Sequence, residues 1–588
     1  MKNNKRIIAL SLGILLFVSL LTACGGSQQD PETTQASAAA TTAATTAAGA
    51  ASTTVATSAA ETQAGDNLNP PGTLPIVKEK VNISIFANQR NVIDYPTNDF
   101  TNWLEDRTNV HLEWEVIATD YNEKMNLMLA SGTYTDIIMS GGGNPAAIEK
   151  YAPQGVIIPV NDLIDKYCVR LNAALDEMPE ARGLITHLDG NIYGFPDYNS
   201  CFHCEYNQKL WINIKWLDAL GLAIPTTTEE FYDVMKAFKE NDPNGNGIAD
   251  EIPLSGSIGG WASVIDGFLS NPFIFHTGRS YEDIKLYFSV ADGKVLSAAN
   301  QDGYRDALIY LNRLCSEGLL DRNAFSNSYD QMRALANDPA DIIGAFPSGS
   351  MGLEVEYLNN NERYKEYAVI PPLAGPDGTK QAPHWPSLIG KEAVIVTDKC
   401  EYPEVVARWY DEFLDAETAL SRQTGIPGRD WRWADTGEIG VDGNQAYWAY
   451  INMESDEPQN YCWQNACGPI WWPLQNRAGL IVPPGSDPYD VDQVETLLHR
   501  ETLKLAQHNV EDKFKTVSRG QLLFTDQEST EISFIEVELQ RYIAVSIAQF
   551  ITGELSVEND WDAYVQNLEA LGLPDYLSFM QTAYDRQK

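Results

Sequence analysis

Positive charge is scarce in this chain: 41 Lys and Arg stand against 81 Asp and Glu, a formal charge of −40. Nucleic-acid binding needs a basic surface to neutralise phosphates, so that class of partner is excluded. The bulk sign does not fix the charge of a small ligand, because a local pocket overrides it. Cysteine is scarce too. Of eight, setting Cys24 aside leaves seven, an odd number that forces at least one free thiol and excludes a disulfide-built scaffold. Long apolar runs are missing: the one near the start, residues 7–21, falls short of the roughly 20 residues that span a bilayer. Hydrolase motifs of the GxSxG or HExxH kind are absent. Gly141, Gly142 and Gly143 follow a strand end, where ligands meet open sheets, but they are not GxGxxG and bring no phosphate-loop Lys.

What is present at the start is an export pattern. Lys2, Lys5 and Arg6 precede the apolar run, and Leu21-Thr22-Ala23-Cys24 closes it. That tetrapeptide resembles the lipobox of bacterial lipoproteins, which implies removal of 1–23 and a fatty-acyl (palmitate) anchor on Cys24. Each buried methylene contributes about 0.8 kcal/mol to such an anchor. Residues 24–75 are rich in Ala, Thr, Ser and Gln, and such composition cannot offset chain entropy by burial, so a disordered linker is expected.

About 515 residues remain, enough for two or three domains or lobes at roughly 150 each. Their opening reads as α/β. Val81, Ile83 and Ile85 alternate as a strand does, and Phe100, Trp103 and Leu104 make a helical stripe over 98–109. Val110, Leu112, Trp114 and Val116 alternate again. Met125, Met128 and Leu129 stripe a helix ending at Gly132, and a strand follows at 136–140. This order begins a parallel sheet. Near the end, Ile535, Leu539, Tyr542, Ile543 and Ile547 form one amphipathic face stopped at Gly553, and Trp561, Tyr564, Val565 and Leu568 form another. Cys201-Phe202-His203-Cys204 has no second CxxC or HxxxH at zinc spacing, so a local disulfide or plain buried thiols is preferred to a metal or redox site. Cys462 and Cys467 are a second candidate bridge.

A combination of segments then carries a resemblance. These are GNIYGFP at 190–196, LWIN at 210–213, Trp216-Leu217, Leu220-Gly221, PTTTEEF at 225–231 and the DPNGNG loop from Asp242. SLIGKEAVIVTDKCEYPEVVARWYDEF at 387–413, GIPGRDW at 425–431 and WDAYVQNLEALGLPDYLSFMQTAYDR at 561–586 complete the set. Together they resemble the family 1 extracellular solute-binding proteins of ABC importers, in the larger branch typical of oligosaccharide uptake in Gram-positive bacteria. The resemblance implies a two-lobed α/β fold of the periplasmic-binding-protein kind (type II), with a hinge and no enzymatic activity. Lobe one would hold 76–200 and 385–450. Lobe two would hold 201–384, with a mainly helical 451–588 completing it. The first crossing is expected near 196–205 and the return near 382–387.

The stretch NDPNGNGIADEIPL, 241–254, begins as a calcium loop does, but its twelfth position is Pro253 and not a bidentate Glu. Thr227 with Glu230 reads as a capping box for the helix entering it. The resemblance carries a truncated ligand set onto Asp242, Asn244, Asn246, Ile248 through its carbonyl, Asp250 and Glu251. Hard oxygens in that number suit calcium and not zinc, in a structural role.

For the solute, sugar rings ask for aromatic faces and a few oriented polar groups in a cleft. The expected ligand-binding residues are Asn88 and Arg90 at the end of the first strand, Asp197 and Tyr198 at the first crossing, Trp385 at the return, and Trp431, Trp433, Trp463, Trp471 and Trp472. The expectation is a monomer on the extracellular face of the membrane that takes an oligosaccharide to the permease subunits of an ABC importer. Two other readings compete: the same fold binding peptides or other solutes, and an anchored calcium-dependent carbohydrate-active enzyme.

Overall fold

In the first strand, Val81–Asn88, apolar residues point both ways: Ile83, Ile85 and Ala87 to one buried cluster and Phe86 to another. A strand buried on both faces belongs inside a covered sheet. It pairs in parallel with Val110–Ile117, from Val81 against Val110 to Asn88 against Ile117, and with Ile137–Met139. Val394–Val396 adds antiparallel to Ile137–Met139 and completes four strands. The helix between the first two strands, Asp99–Thr108, starts where Asn98 Oδ1 accepts from the Phe100 N–H at 3.0 Å, and ends at Asn109 with φ +60°. The computed structural model describes residues 66–89, 94–139, 145–276, 287–356, 362–387, 389–452, 460–464, 466–490, 493–510, 513–515 and 522–587. Cys24, Arg90 and Gly141–Gly143 lie outside the described residues.

A second four-stranded sheet runs in the order Tyr367–Val369, Leu210–Asn213, Ile343–Pro347, Ile252–Leu254, with the first two pairings antiparallel and the last parallel. Leu210 and Ile212 face one cluster and Trp211 the other. The first of these clusters is closed by the long helix Asp526–Thr552 and by Val557–Ala570 and Leu573–Arg586. Ile532, Leu539, Ile543 and Ile547 supply the buried face of the long helix, and Gly553 caps it at φ +80°. The chain is therefore α/β with two sheet-centred lobes. It crosses between them after Phe195, in the first core, and before Tyr206, in the second.

Two boundaries differ from the sequence reading. Residues 66–75 are docked, not linker: Asn69 N–H donates to the Ile76 carbonyl at 2.9 Å, and Arg408 holds the carbonyls of Asn69 and Thr73 at 2.8 Å each. Leu68 and Leu74 pack on the first core, which gives the segment apolar surface to bury. The chain also returns to the first lobe after 450, where Trp463, Ala466, Cys467 and Trp471 join that core. Thr227 caps its helix through the Glu230 N–H at 3.1 Å, but Glu230 reaches back to Thr226, not Thr227.

Candidate ligand cleft and calcium loop

The crossing segments are laid side by side. Tyr198–Asn199 pairs in parallel with Trp471–Trp472. On the return, Trp385 N–H donates to the Glu205 carbonyl at 2.7 Å, and Ser387 N–H to the Glu205 carboxylate at 3.1 Å. Against these strands sits a small antiparallel ribbon, Trp431–Trp433 with Trp448–Tyr450. Together they enclose a cavity of about 220 Å³ lined by Asn199, Gln423, Gln464, Trp448, Tyr450 and Trp472, with Arg477 and Glu495 closing one side. Sites that take a whole drug-sized ligand run to roughly 300–1,000 Å³, so this cavity is smaller than such a site. The Trp448 indole N–H donates to the Asn476 carbonyl at 2.6 Å, which fixes its ring, and Tyr450 lies edge-on to it at 4.7 Å.

Arg477 and Glu495 meet at 2.7 Å. Burial opposes ionisation of Glu495, but His203 and Arg477 hold its carboxyl at about 2. Burial also lowers the His203 imidazole, with Glu495 opposing that shift. Beyond the pair lies a second cavity of about 210 Å³, lined by Phe202, His203, Val441, Leu474 and His499. Lys209, fully buried, donates to the carbonyls of His203 and Tyr206 at 2.6 Å each, and burial brings its ammonium down to about 7.

Of the sequence-predicted aromatics, Trp472 lines the first cavity. Trp471 and Tyr198, on the paired strands, meet at a tilt with ring centroids 5.3 Å apart, and Trp471 is buried in the first core. Asp197 turns its carboxylate onto Gly390, where any Cβ would lie 1.8 Å from Oδ1. Trp385 is half-buried on the return segment, and Asn88 ends its strand half-buried. Trp431 and Trp463 are corrections. Both are 0 % exposed, with indole N–H groups donating to Gly425 O at 3.1 Å and to Thr101 Oγ1 at 2.9 Å, so their rings serve the core. Trp433, opposite Trp448 on the ribbon, is exposed and is not among the residues lining that cavity.

The sequence reading passed over Trp448, Tyr450 and Trp261. Trp261 packs its indole on Gly349, where a Cβ would come within 2.4 Å of the ring, and sits edge-on to His203 at 6.2 Å. The Gly259-Gly260 pair before it was the available signal. Below that loop Glu354 is fully buried, and neither carboxylate oxygen has a hydrogen-bond partner. Burial raises its carboxyl to about 7, with the Arg333 charge offsetting only part. Between its ordinary 4.5 and about 7 the folded protein thus holds more protons than the unfolded chain, and stability falls as pH rises through that window. Glu354→Gln should therefore raise the melting temperature at pH 8, by the equivalent of about 1–3 kcal/mol, and change little at pH 4; thermal melts at both values check this.

In the loop from Asp242, Gly245 and Gly247 adopt φ +72° and +76°, which only glycine takes without strain. The turn wraps Asp242, whose two oxygens accept from the N–H groups of Asn246 at 3.0 Å and Gly247 at 2.8 Å. The side-chain amides of Asn244 and Asn246 donate to Asp250 at 3.2 and 3.1 Å. Ile248 is exposed, its N–H held by Asn246 Oδ1 at 2.7 Å. Glu251 Oε1 is buried with no partner, and its carboxyl is raised by burial first and then by Asp250 and Asp242. An orphaned carboxylate oxygen between like charges is a feature that a bound cation relieves, so the donor set fits calcium. The three carboxylates are not gathered within 4.8 Å of one another; among the described residues the trio that is, Cys201, His203 and Cys204, has its sulfurs joined in a disulfide. Cys462 and Cys467 are buried thiols, not bridged; Cys467 instead lies 3.0 Å from the Tyr95 hydroxyl.

Two lobes and a partly aromatic cavity at their crossing define a binding protein, and the comparisons agree. The family model of bacterial extracellular solute-binding proteins matches residues 87–420, and the chain belongs to that family. It is a solute-binding protein and not an enzyme. The fructooligosaccharide ABC transporter substrate-binding protein FusA of Streptococcus pneumoniae is 28% identical over 506 residues, 82% of this chain and 86% of that protein. The structure of FusA with kestose superposes at a TM-score of 0.68 with 27% identity, covering 87% of this chain and 99% of the other. An EF-hand mutant of FusA with fructo-nystose gives 0.66 and 26%, covering 86% and 99%.

Proposed function

We propose that this protein captures an oligosaccharide between its two lobes outside the cell and delivers it, unaltered, to the permease subunits of an ABC importer. It does so as a monomer tethered through a lipidated Cys24. No helix among the described residues is long and apolar enough to cross a membrane. The observation that carries the reading is the cavity at the crossing, where Trp448, Tyr450 and Trp472 meet the side-chain amides of Asn199, Gln423 and Gln464. Rings offer faces to sugar C–H patches and amides pair with hydroxyls. A relative that binds fructooligosaccharides supports the ligand class. Calcium, held by Asp242, Asn244, Asn246, Ile248, Asp250 and Glu251, would stiffen the loop away from this cavity, and the EF-hand of FusA supports that assignment.

Calorimetric titration against a panel of oligosaccharides and peptides, with the solute recovered and weighed by mass spectrometry, tests the reading. Saturable binding of a saccharide of unchanged mass is expected. Binding of peptides alone, or release of cleaved product, would refute it.

A further inference from the structure

The wall between the two cavities has a consequence for which saccharides fit. Among the described residues lining the larger one, Arg477 is the single cation. Its Nε donates to the Ser200 carbonyl at 3.0 Å, Nη1 to Glu495 Oε1 at 2.7 Å and Nη2 to Asn199 Oδ1 at 3.3 Å. A guanidinium recognises a carboxylate through a fork of two parallel N–H donors. Here one tine already holds a carboxylate and the other an amide oxygen. Glu495 is held ionised by its partners His203, at 3.6 Å, and Arg477, at 2.7 Å, while Lys209 behind it is turned onto the carbonyls of His203 and Tyr206. An incoming uronate would meet that fixed negative charge without a cation to spare. A neutral ring meets only amides and aromatic faces.

We propose that the crossing cavity selects uncharged saccharides over acidic ones, with Glu495 as the specificity-determining residue because it occupies Arg477. This rests on the oligosaccharide reading above and deepens it. Discrimination by an element that repels the wrong ligand is as effective as one that attracts the right one. Glu495→Gln removes the repulsion and frees the fork in one change. Arg477→Gln does the reverse, leaving Glu495 ionised and unpaired.

The experiment is calorimetric titration of the wild type, Glu495→Gln and Arg477→Gln at neutral pH and low salt. The probes are kestose, maltotriose and xylotriose as neutral sugars and trigalacturonic acid as the acidic one. The wild type should bind one or more neutral sugars at least about tenfold tighter than trigalacturonate. In Glu495→Gln that ratio should shrink about tenfold or more, while in Arg477→Gln it should not shrink. Should Glu495→Gln fail to fold, Arg477→Gln decides alone, and a smaller ratio there overturns the inference. A wild type that prefers trigalacturonate, or an unmoved ratio in a folded Glu495→Gln, overturns it as well. A wild type that binds no saccharide refutes the oligosaccharide reading itself, and this inference with it.

Discussion

Trp463→Ala is expected to lose about 3–5 kcal/mol of stability, the range for removing a large aromatic from a closed core. Its ring sits among Phe100 at 5.1 Å, Trp114 at 5.5 Å, Tyr95 at 5.6 Å and Phe413 at 5.8 Å, all in the first lobe. Its backbone and that of Ala466 are further held by the Arg422 guanidinium at 2.8 and 3.1 Å. The loss would therefore appear in urea unfolding of the free protein. Trp472→Ala should behave differently. That ring lines the crossing cavity, and truncating an aromatic anchor at the centre of a site costs about 2 kcal/mol or more of binding, roughly thirtyfold in affinity. Trp472→Phe, which keeps a ring face, should recover most of it. Equal effects of Trp463→Ala and Trp472→Ala on affinity would contradict the separation of core from site.

Calcium removal should have the other large effect. A cation that binds only the folded loop stabilises it by about 2.7 kcal/mol at a hundredfold excess over its dissociation constant. Chelation should lower the melting temperature by several degrees. Asp242→Ala should abolish the difference between chelated and calcium-loaded protein, because Asp242 organises the turn through two backbone N–H groups. Saccharide affinity should change far less, since none of the loop's residues lines the crossing cavity. A melting temperature indifferent to chelation would remove the metal.

The strands and helix stops were legible because their signals are local. Ile83 and Ile85 declare one sheet face, and Gly132 and Gly553 supply the left-handed residues that end their helices at φ +77° and +80°. The turn from Asp242 was legible for the same reason, its oxygen-bearing side chains and glycines lying within ten residues. The tryptophans were not. Whether a Trp faces a core or a cleft depends on what closes over it, and for Trp463 that includes Thr101, 362 residues earlier. Nothing around 463 announces that partner. The same holds for the boundary after 450: the chain returns to the first lobe because Trp463 and Cys467 fill space beside Tyr95, a long-range fact. The Arg477–Glu495 pair escaped notice because its two halves look like ordinary helix-surface charges. The Cys201–Cys204 spacing fitted a local bridge, and the structure joins them.

The central claim is that two lobes close on a dissolved saccharide and leave it unaltered. Small-angle X-ray scattering of the folded domain, with and without a saturating saccharide found by titration, tests this most directly. The radius of gyration should fall on saturation and return once the sugar, chemically unchanged, is dialysed away. Saturation with no change in the radius of gyration would contradict the account.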